Sequence, residues 1–492
     1  MMPRTFPAFL PLTLLFWGFS DAGFAEPLTE EKARQALQKA VGFFRHQVGH
    51  EGAYVYRYSA DLTKQEGEGR AHRTTGWTEP PGTPAVGQAY LDAWILTKED
   101  RCLQAAREVA EALIRGQLES GLWESRFELD PENRKSIAYR VDGGEVGKRK
   151  NVSTFDDDKS QSALLHLMRM DEALGFQDRR IREAVEYALE KMLAVQFPNG
   201  AWPQRFEGPS ESEGDPSLRA SYPETWSRTY AKTSYSGHYT LNDGNMERIM
   251  EVLLEAAHLY DRADCHQAAV KTGDFFLLAQ MPEPQPGWAQ QYNGQMHPAW
   301  ARKFEPPSIT GGESQGVMRA LVHLYRVTGH LRYLDAVPPA LRYYEASVLP
   351  NGRLARFYEL RTNKPLYFTK DYKLTYDDRD VPTHYGFTTG SKLDRIAREV
   401  DKLMQEPPAA FGYRPRTITA PSRLTEELAD QAKAAIDSMD DRGAWVEKGG
   451  LEEYGESDQT REIIASSTFI ETLGTLARFV AASEGEDGDN GQ

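Results

Sequence analysis

Three consecutive aspartates precede a helical pattern in Phe155-Asp156-Asp157-Asp158-Lys159-Ser160-Gln161. One aspartate is enough to cap a helix, and its neighbours gain from the helix dipole. Three side by side repel one another unless a cation or base is near, so metal or substrate binding stands beside capping as a reading. A second acid, Asp243, sits in Tyr239-Thr240-Leu241-Asn242-Asp243-Gly244, again just ahead of a helical stripe. The stretch from Gly287 to Ser314 is a long loop carrying Trp288, Gln290, Tyr292, Trp300, Arg302, Glu305 and Glu313, groups suited to gripping sugars. Its Arg302 reads as buried, free for chemistry or simply paired with Glu305. Loops of this length inside a compact domain are functional or disordered, and the aromatic content speaks against disorder. A fourth cluster alternates basic and aromatic residues through Arg356, Tyr358, Lys364 and Lys370. It suits an anionic sugar, and it also suits an ordinary edge hairpin.

The elements that must position these clusters are helical. Cys102, Ala106, Val109, Ala110 and Leu113 form one apolar stripe. Ile181, Ala184, Val185, Ala188, Leu189 and Met192 form another, and Met246, Ile249, Met250 and Leu253 a third. Convincing strands are few. A glycine followed by an aromatic or apolar residue recurs at Gly52-Ala53-Tyr54, Gly121-Leu122-Trp123, Gly200-Ala201-Trp202, Gly287-Trp288, Gly352-Arg353-Leu354 and Gly443-Ala444-Trp445. Glycine suits the turn that stops a helix, and the neighbouring aromatic can plug the layer between units. Such units predict an all-α fold, an α/α toroid of three to six helical hairpins with long loops forming a cleft. The long connections fall at about 58–85, 206–239 and 386–415. A single domain over 26–480 and a disordered acidic tail over 481–492 complete the expected organisation.

The 492 residues carry a net charge of −15, which disfavours nucleic acid, whose phosphates need a positive surface. Arg4, the apolar run Phe6 to Trp17 and the small-residue exit Ala22-Gly23-Phe24-Ala25 read as a secretory signal peptide over 1–25. That places the protein as secreted or periplasmic, with no membrane span after cleavage; the other reading, an uncleaved membrane anchor, is disfavoured because the apolar run falls short of the roughly 20 residues a span needs. Cys102 and Cys265 leave open one disulfide or two buried thiols. There is no nucleotide loop, zinc motif or nucleophile elbow, and the histidines show no ligand pattern; His238, His297 and His384 read as structural.

Taken in order, FDDDKSQSALLHLM, NGAWPQRF, YTLNDGNMERIM, GWAQQYNGQMHPAWARKFEPPSITGGES and LARFYELRTNKPLYFTKD resemble the pectic acid lyase family, polysaccharide lyase family 10. The pieces span about Asn151 to Tyr385. The resemblance implies an α/α toroid that cleaves polygalacturonate, an acidic polysaccharide, by Ca2+-assisted β-elimination, acting as a monomer. It implies Arg302 as base, Asp156, Asp157 and Asp243 at the metal, and Arg356, Lys370, Trp288, Gln290 and Tyr358 at the substrate. Where the family usually has arginine followed by Asp-Gly, this chain has Lys370-Asp371-Tyr372, which keeps the charge but not the two-pronged geometry. Two other readings use the same residues: an α/α-toroid glycoside hydrolase with Asp157 and Asp243 as its acid and base, and a non-catalytic glycan-binding protein.

Overall fold

The computed structural model describes residues 28–209, 215–230, 232, 234–235 and 237–489. The expected signal peptide lies outside the described residues. In chain order the helices are α1 (Glu30–Phe43), α2 (Thr83–Thr97), α3 (Asp100–Gly116), the one-turn α4 (Pro131–Arg134), α5 (Lys159–Ala173), α6 (Arg179–Ala194) and α7 (Asn245–Tyr260). They continue with α8 (Ala263–Ala279), α9 (Gly311–Thr328), α10 (Leu331–Asp335), α11 (Val337–Glu345), α12 (Leu393–Gln405), α13 (Glu426–Asp437) and α14 (Ser466–Asp489). None of the helices among the described residues is long and apolar enough to cross a membrane.

The helices form two concentric layers. The inner layer runs α14, α2, α5, α7, α9 and α12, each packed on the next. The outer layer holds α13, α1, α3, α6, α8 and the α10–α11 pair. The layering follows from composition. The α2 sequence TPAVGQAYLDAWILT is apolar on almost every side and has no exposed residue between Thr83 and Thr97, as suits a helix wrapped by neighbours. Helix α3 instead buries Cys102, Ala106, Val109 and Leu113 on one stripe and turns its charges outward. Among the described residues this is a toroid of six hairpins, at the top of the expected range.

The six glycine sites, five followed by an aromatic and one by Leu354, are its registration marks. Each follows one outer helix, α1, α3, α6, α8, α11 or α13, and leads towards the next inner helix. Gly52 and Gly200 have φ of +81° and +91°, and a Cβ on either would lie 2.1 Å from a backbone oxygen of the next outer helix, that of Glu108 or Lys271. The tryptophans are plugs: Trp123 Nε1 donates to Leu113 O, Trp288 Nε1 to Phe276 O and Trp445 Nε1 to Ala435 O, each at 2.8 Å. Gly200→Ala is expected to lose about 2–4 kcal/mol of stability, from left-handed strain plus overpacking. Urea denaturation of the variant checks it.

The ends of the chain close the ring. Strand Arg57–Ser59 pairs antiparallel with strand Glu462–Ala465, with Tyr58 opposite Ile464. Phe44 stacks on Phe469 with ring centroids 3.8 Å apart. A Cβ on Gly443 would come 2.8 Å from Lys39 O of α1. Cys102 and Cys265 are buried free thiols on different outer helices.

Two expectations are corrected. The supposed connection over 386–415 contains α12, whose Leu393, Ile396, Val400 and Leu403 repeat at helical spacing and are buried. The tail expected to be disordered from 481 continues α14 as helix to Asp489. Ala481 and Ala482 are packed away from solvent, and Glu484 pairs with Arg34 of α1 at 2.5 Å.

Candidate active site

Two consecutive inner helices begin with the same loop. Before α5 the chain makes one 3-10 turn over Asp156–Asp158, and before α7 another over Asn242–Gly244. Asp157 (φ 48°, ψ 40°) and Asp243 (φ 53°, ψ 27°) occupy equivalent left-handed positions. Aspartate is among the few non-glycine residues that tolerate this region. Each turn is hung from a glutamine of the following unit. Phe155 N donates to Gln204 O and Leu241 N to Gln290 O. The Gln204 amide donates to Asp156 Oδ1 and the Gln290 amide to Asn242 Oδ1, both at 2.6 Å. The Trp-x-Gln-x-aromatic pattern of Trp202 to Phe206 and Trp288 to Tyr292 is thus one structural device used twice.

The repeated turns bring Asp156, Asp157 and Asp243 together, with a carboxylate oxygen from each within 4.8 Å of the others. The starts of α5 and α7 point here, adding partial positive charge from their free N–H groups. Burial still dominates. It pushes Asp243 up to about 7, helped by the charges of Asp157 and Glu313 and opposed by Arg356. Burial and Asp157 raise Asp156 as well, and burial takes Asp158 to about 6. Close and under-neutralised carboxylates are what a hard divalent cation needs, so these residues fit one. The sign for stability follows: a carboxyl raised above its unfolded value of about 3.9 favours the protonated native state. With divalent ions chelated, Tm is therefore expected to fall as pH rises from 5 to 8; a flat or rising profile would contradict the arrangement.

Two arginines stand beside the acids. Arg356, presented by the segment between strands Leu354–Ala355 and Phe357–Glu359, lies 3.7 Å from Asp243 and 3.8 Å from Glu313. Arg302 pairs with Glu305 Oε1 at 2.5 Å, and its backbone N–H donates to Glu305 Oε2 at 3.0 Å. Both guanidiniums pack on the Tyr385 ring, at 4.4 Å and 5.9 Å from its centre. Tyr385 Oη in turn donates to Glu305 at 3.2 Å. The Arg302 side chain is 44 % exposed, where a buried residue was expected, so it faces the open cleft. Burial pulls its pKa down, but the hydrogen bond and charge of Glu305, with Tyr385 and Asp243, outweigh this and the net shift is upward.

Five of the expected site residues, Asp156, Asp157, Asp243, Arg302 and Arg356, therefore gather in one cleft. Three of the substrate-binding expectations are corrected. Trp288 has no exposed surface and its indole N–H is spent on Phe276 O. Tyr358 is buried, donates to Ser347 O and accepts from Ala355 N. Gln290 is buried and holds the Asn242 turn, so it positions the acids and does not face the cleft. Lys370 is 66 % exposed and pairs with Asp380 at 3.5 Å, apart from this group. Sequence reasoning assigned no role to Lys159, Gln204, Glu79 or Tyr385. Lys159 and Gln204 stood inside motifs already singled out, and the repeated Trp-x-Gln pattern was the signal for Gln204.

Against this geometry, the family model described as pectic acid lyase matches residues 117–354. That region, just under half of the chain, is similar to the pectic acid lyase family. The match supports a polysaccharide lyase, and the matched stretch contains all of the gathered acids and Arg302, stopping just short of Arg356. Among solved structures, one similar chain is a mutant, with one aspartate replaced by alanine, of a family 10 polysaccharide lyase from Cellvibrio cellulosa in complex with trigalacturonic acid. It is 20% identical, covers 66% of this chain and 99% of its own, and has a TM-score of 0.44. The family 10 polysaccharide lyase from Cellvibrio cellulosa itself is 21% identical over 65% of this chain and 97% of its own, with a TM-score of 0.44. A GH76 α-mannanase from Bacteroides thetaiotaomicron is 9% identical over 92% of this chain and 97% of its own, with a TM-score of 0.43. A comparison with curated protein sequences gives no match.

Proposed function

We propose that the protein is a secreted or periplasmic pectate lyase that cleaves polygalacturonate, or a related polyuronate, by calcium-assisted β-elimination with Arg302 as the base. The observation that carries this reading is the convergence of three close carboxylates with two arginines that share one tyrosine ring. The apolar run Phe6 to Trp17 behind Arg4 supports export.

The reaction removes the proton on the carbon beside a uronate carboxylate. The electron pair left behind forms a C=C bond as the C–O bond to the leaving sugar breaks, and water protonates the departing oxygen. The difficulty is charge, because a carboxylate resists gaining a second negative charge. Arg356 stands where it can offset that charge, held in place by Tyr385, Asp243 and Glu313. Asp156, Asp157 and Asp243 would hold calcium, whose chemistry is to neutralise the developing dianion. Arg302 faces the open cleft, where it can take the proton once its charge is relieved by the cations around it.

Polygalacturonate and other polyuronates incubated with the purified protein, with and without calcium, test this. Near-ultraviolet absorbance from an unsaturated sugar end, rising with calcium, is the expected result. Saturated ends would support a hydrolase, and calcium-dependent binding without turnover would leave only a glycan-binding protein.

A further inference from the structure

Lys159 breaks a local rule. It is the first residue of α5, where the helix dipole favours anions and disfavours a cation. Its side chain is 3 % exposed, and an ammonium removed from water is costly unless well paired. It is well paired. Nζ lies 2.8 Å from Glu79 and 3.1 Å from Asp157, with Asp156 at 3.8 Å and Glu68 at 3.9 Å. Glu68 and Glu79 come from the connection between α1 and α2, before the region that matches the family.

Glu68, Glu79 and Asp157 place their oxygens within 4.8 Å of one another, as closely as Asp156, Asp157 and Asp243 do. The cleft therefore holds two three-carboxylate cages that share Asp157. The first has an ammonium reaching into it on a tether. The second has no ammonium within the same range of all three acids. Of its three acids, Arg356 approaches Asp243, Arg205 approaches Asp156 at 3.9 Å, and Lys159 reaches Asp157 and Asp156 from the neighbouring cage.

We propose that Lys159 is a tethered cation that fills the Glu68–Glu79–Asp157 cage. It thereby confines the cleft to one divalent ion at Asp156, Asp157 and Asp243, and tunes that ion's affinity through the shared Asp157. Lys159 is a positioning residue, since its ammonium pairs with the carboxylates around the proposed ion site. This inference rests on the calcium reading above.

Calcium titration of the full-length protein by calorimetry tests it, because ion count is a readout that a merely structural lysine would not move. The wild type is expected to bind one ion and Lys159→Met two, with the double variant K159M/E79Q returning to one. One ion in Lys159→Met, at wild-type affinity, overturns the proposal and leaves the calcium reading intact. No ion in any of the proteins overturns both. Should Lys159→Met fail to fold, Glu79→Gln carries the question. Without Glu79 the ammonium turns wholly to Asp157 and Asp156, and calcium Kd is expected to weaken about fivefold or more. An unchanged or tighter Kd in Glu79→Gln overturns the proposal.

Discussion

Arg302→Ala is expected to lower kcat on polygalacturonate by about 10²–10⁴-fold, the range that a positioned general base supplies. KM and calcium affinity should stay near wild type, because Arg302 contacts Glu305 and Tyr385 and none of the three clustered aspartates at ion-pair distance. The pH profile separates a base from a mere counter-charge. In the ion-free protein Glu305 holds Arg302 protonated, with its pKa above the ordinary arginine value. Only the neutral fraction can accept a proton, and that fraction grows about tenfold per pH unit below the pKa. Turnover should therefore climb with pH through the alkaline range, and the climb should vanish in Arg302→Ala. Arg302→Lys keeps a charge but not the planar guanidinium that bonds Glu305 and packs on the Tyr385 ring, so it should rescue little. A kcat near wild type in a folded Arg302→Ala would remove Arg302 from the chemistry. Residual activity with an unaltered alkaline slope would assign the base to another group.

The toroid was legible in the sequence because its repeating demand is met by residue type. A glycine that must admit a neighbouring backbone, as at Gly52 and Gly200, and a tryptophan that must fill the layer behind it, as at Trp123, leave marks in most units. The acids were legible for a different reason: three adjacent aspartates are hard to justify by capping alone. What stayed hidden was direction. Trp288 and Gln290 lie in the same motif as Arg302, yet the repeated turn aims the first two inward and leaves Arg302 at the cleft. Tyr358 follows Arg356 in an extended segment, and there the burial of the tyrosine goes to packing behind the strand rather than to the cleft. Counting aromatics near a charged motif cannot distinguish a plug from a sugar platform. Partners distant in sequence were hidden too. Glu79 meets Lys159 across 80 positions, and no local pattern announces it. Helix α12 was missed because the glycine and proline on either side of it read as loop, although its apolar stripe was present throughout.

Asp243→Asn is expected to weaken calcium binding by about tenfold or more, since divalent affinity follows the number of charged ligands, and with it to lower kcat/KM by about 10²-fold or more. The substitution keeps shape, and asparagine tolerates the left-handed backbone that Asp243 adopts, so folding should survive. Stability without calcium should rise, because the raised pKa of Asp243 marks a carboxylate whose ionised form the native state disfavours. One change thus moves two quantities in opposite directions: tighter folding without the ion, weaker binding of it. Proton release sharpens the test. Loading the wild-type site below pH 7 must displace a proton from Asp243, so calcium affinity should fall with pH by up to about tenfold per unit. That slope should flatten in Asp243→Asn, while Arg356, which lies 3.8 Å from Glu313, keeps a carboxylate partner. A variant that binds calcium as the wild type does, with the same pH slope, would show that the ion does not sit at Asp243. The two arginines would then have to stabilise the transition state without it.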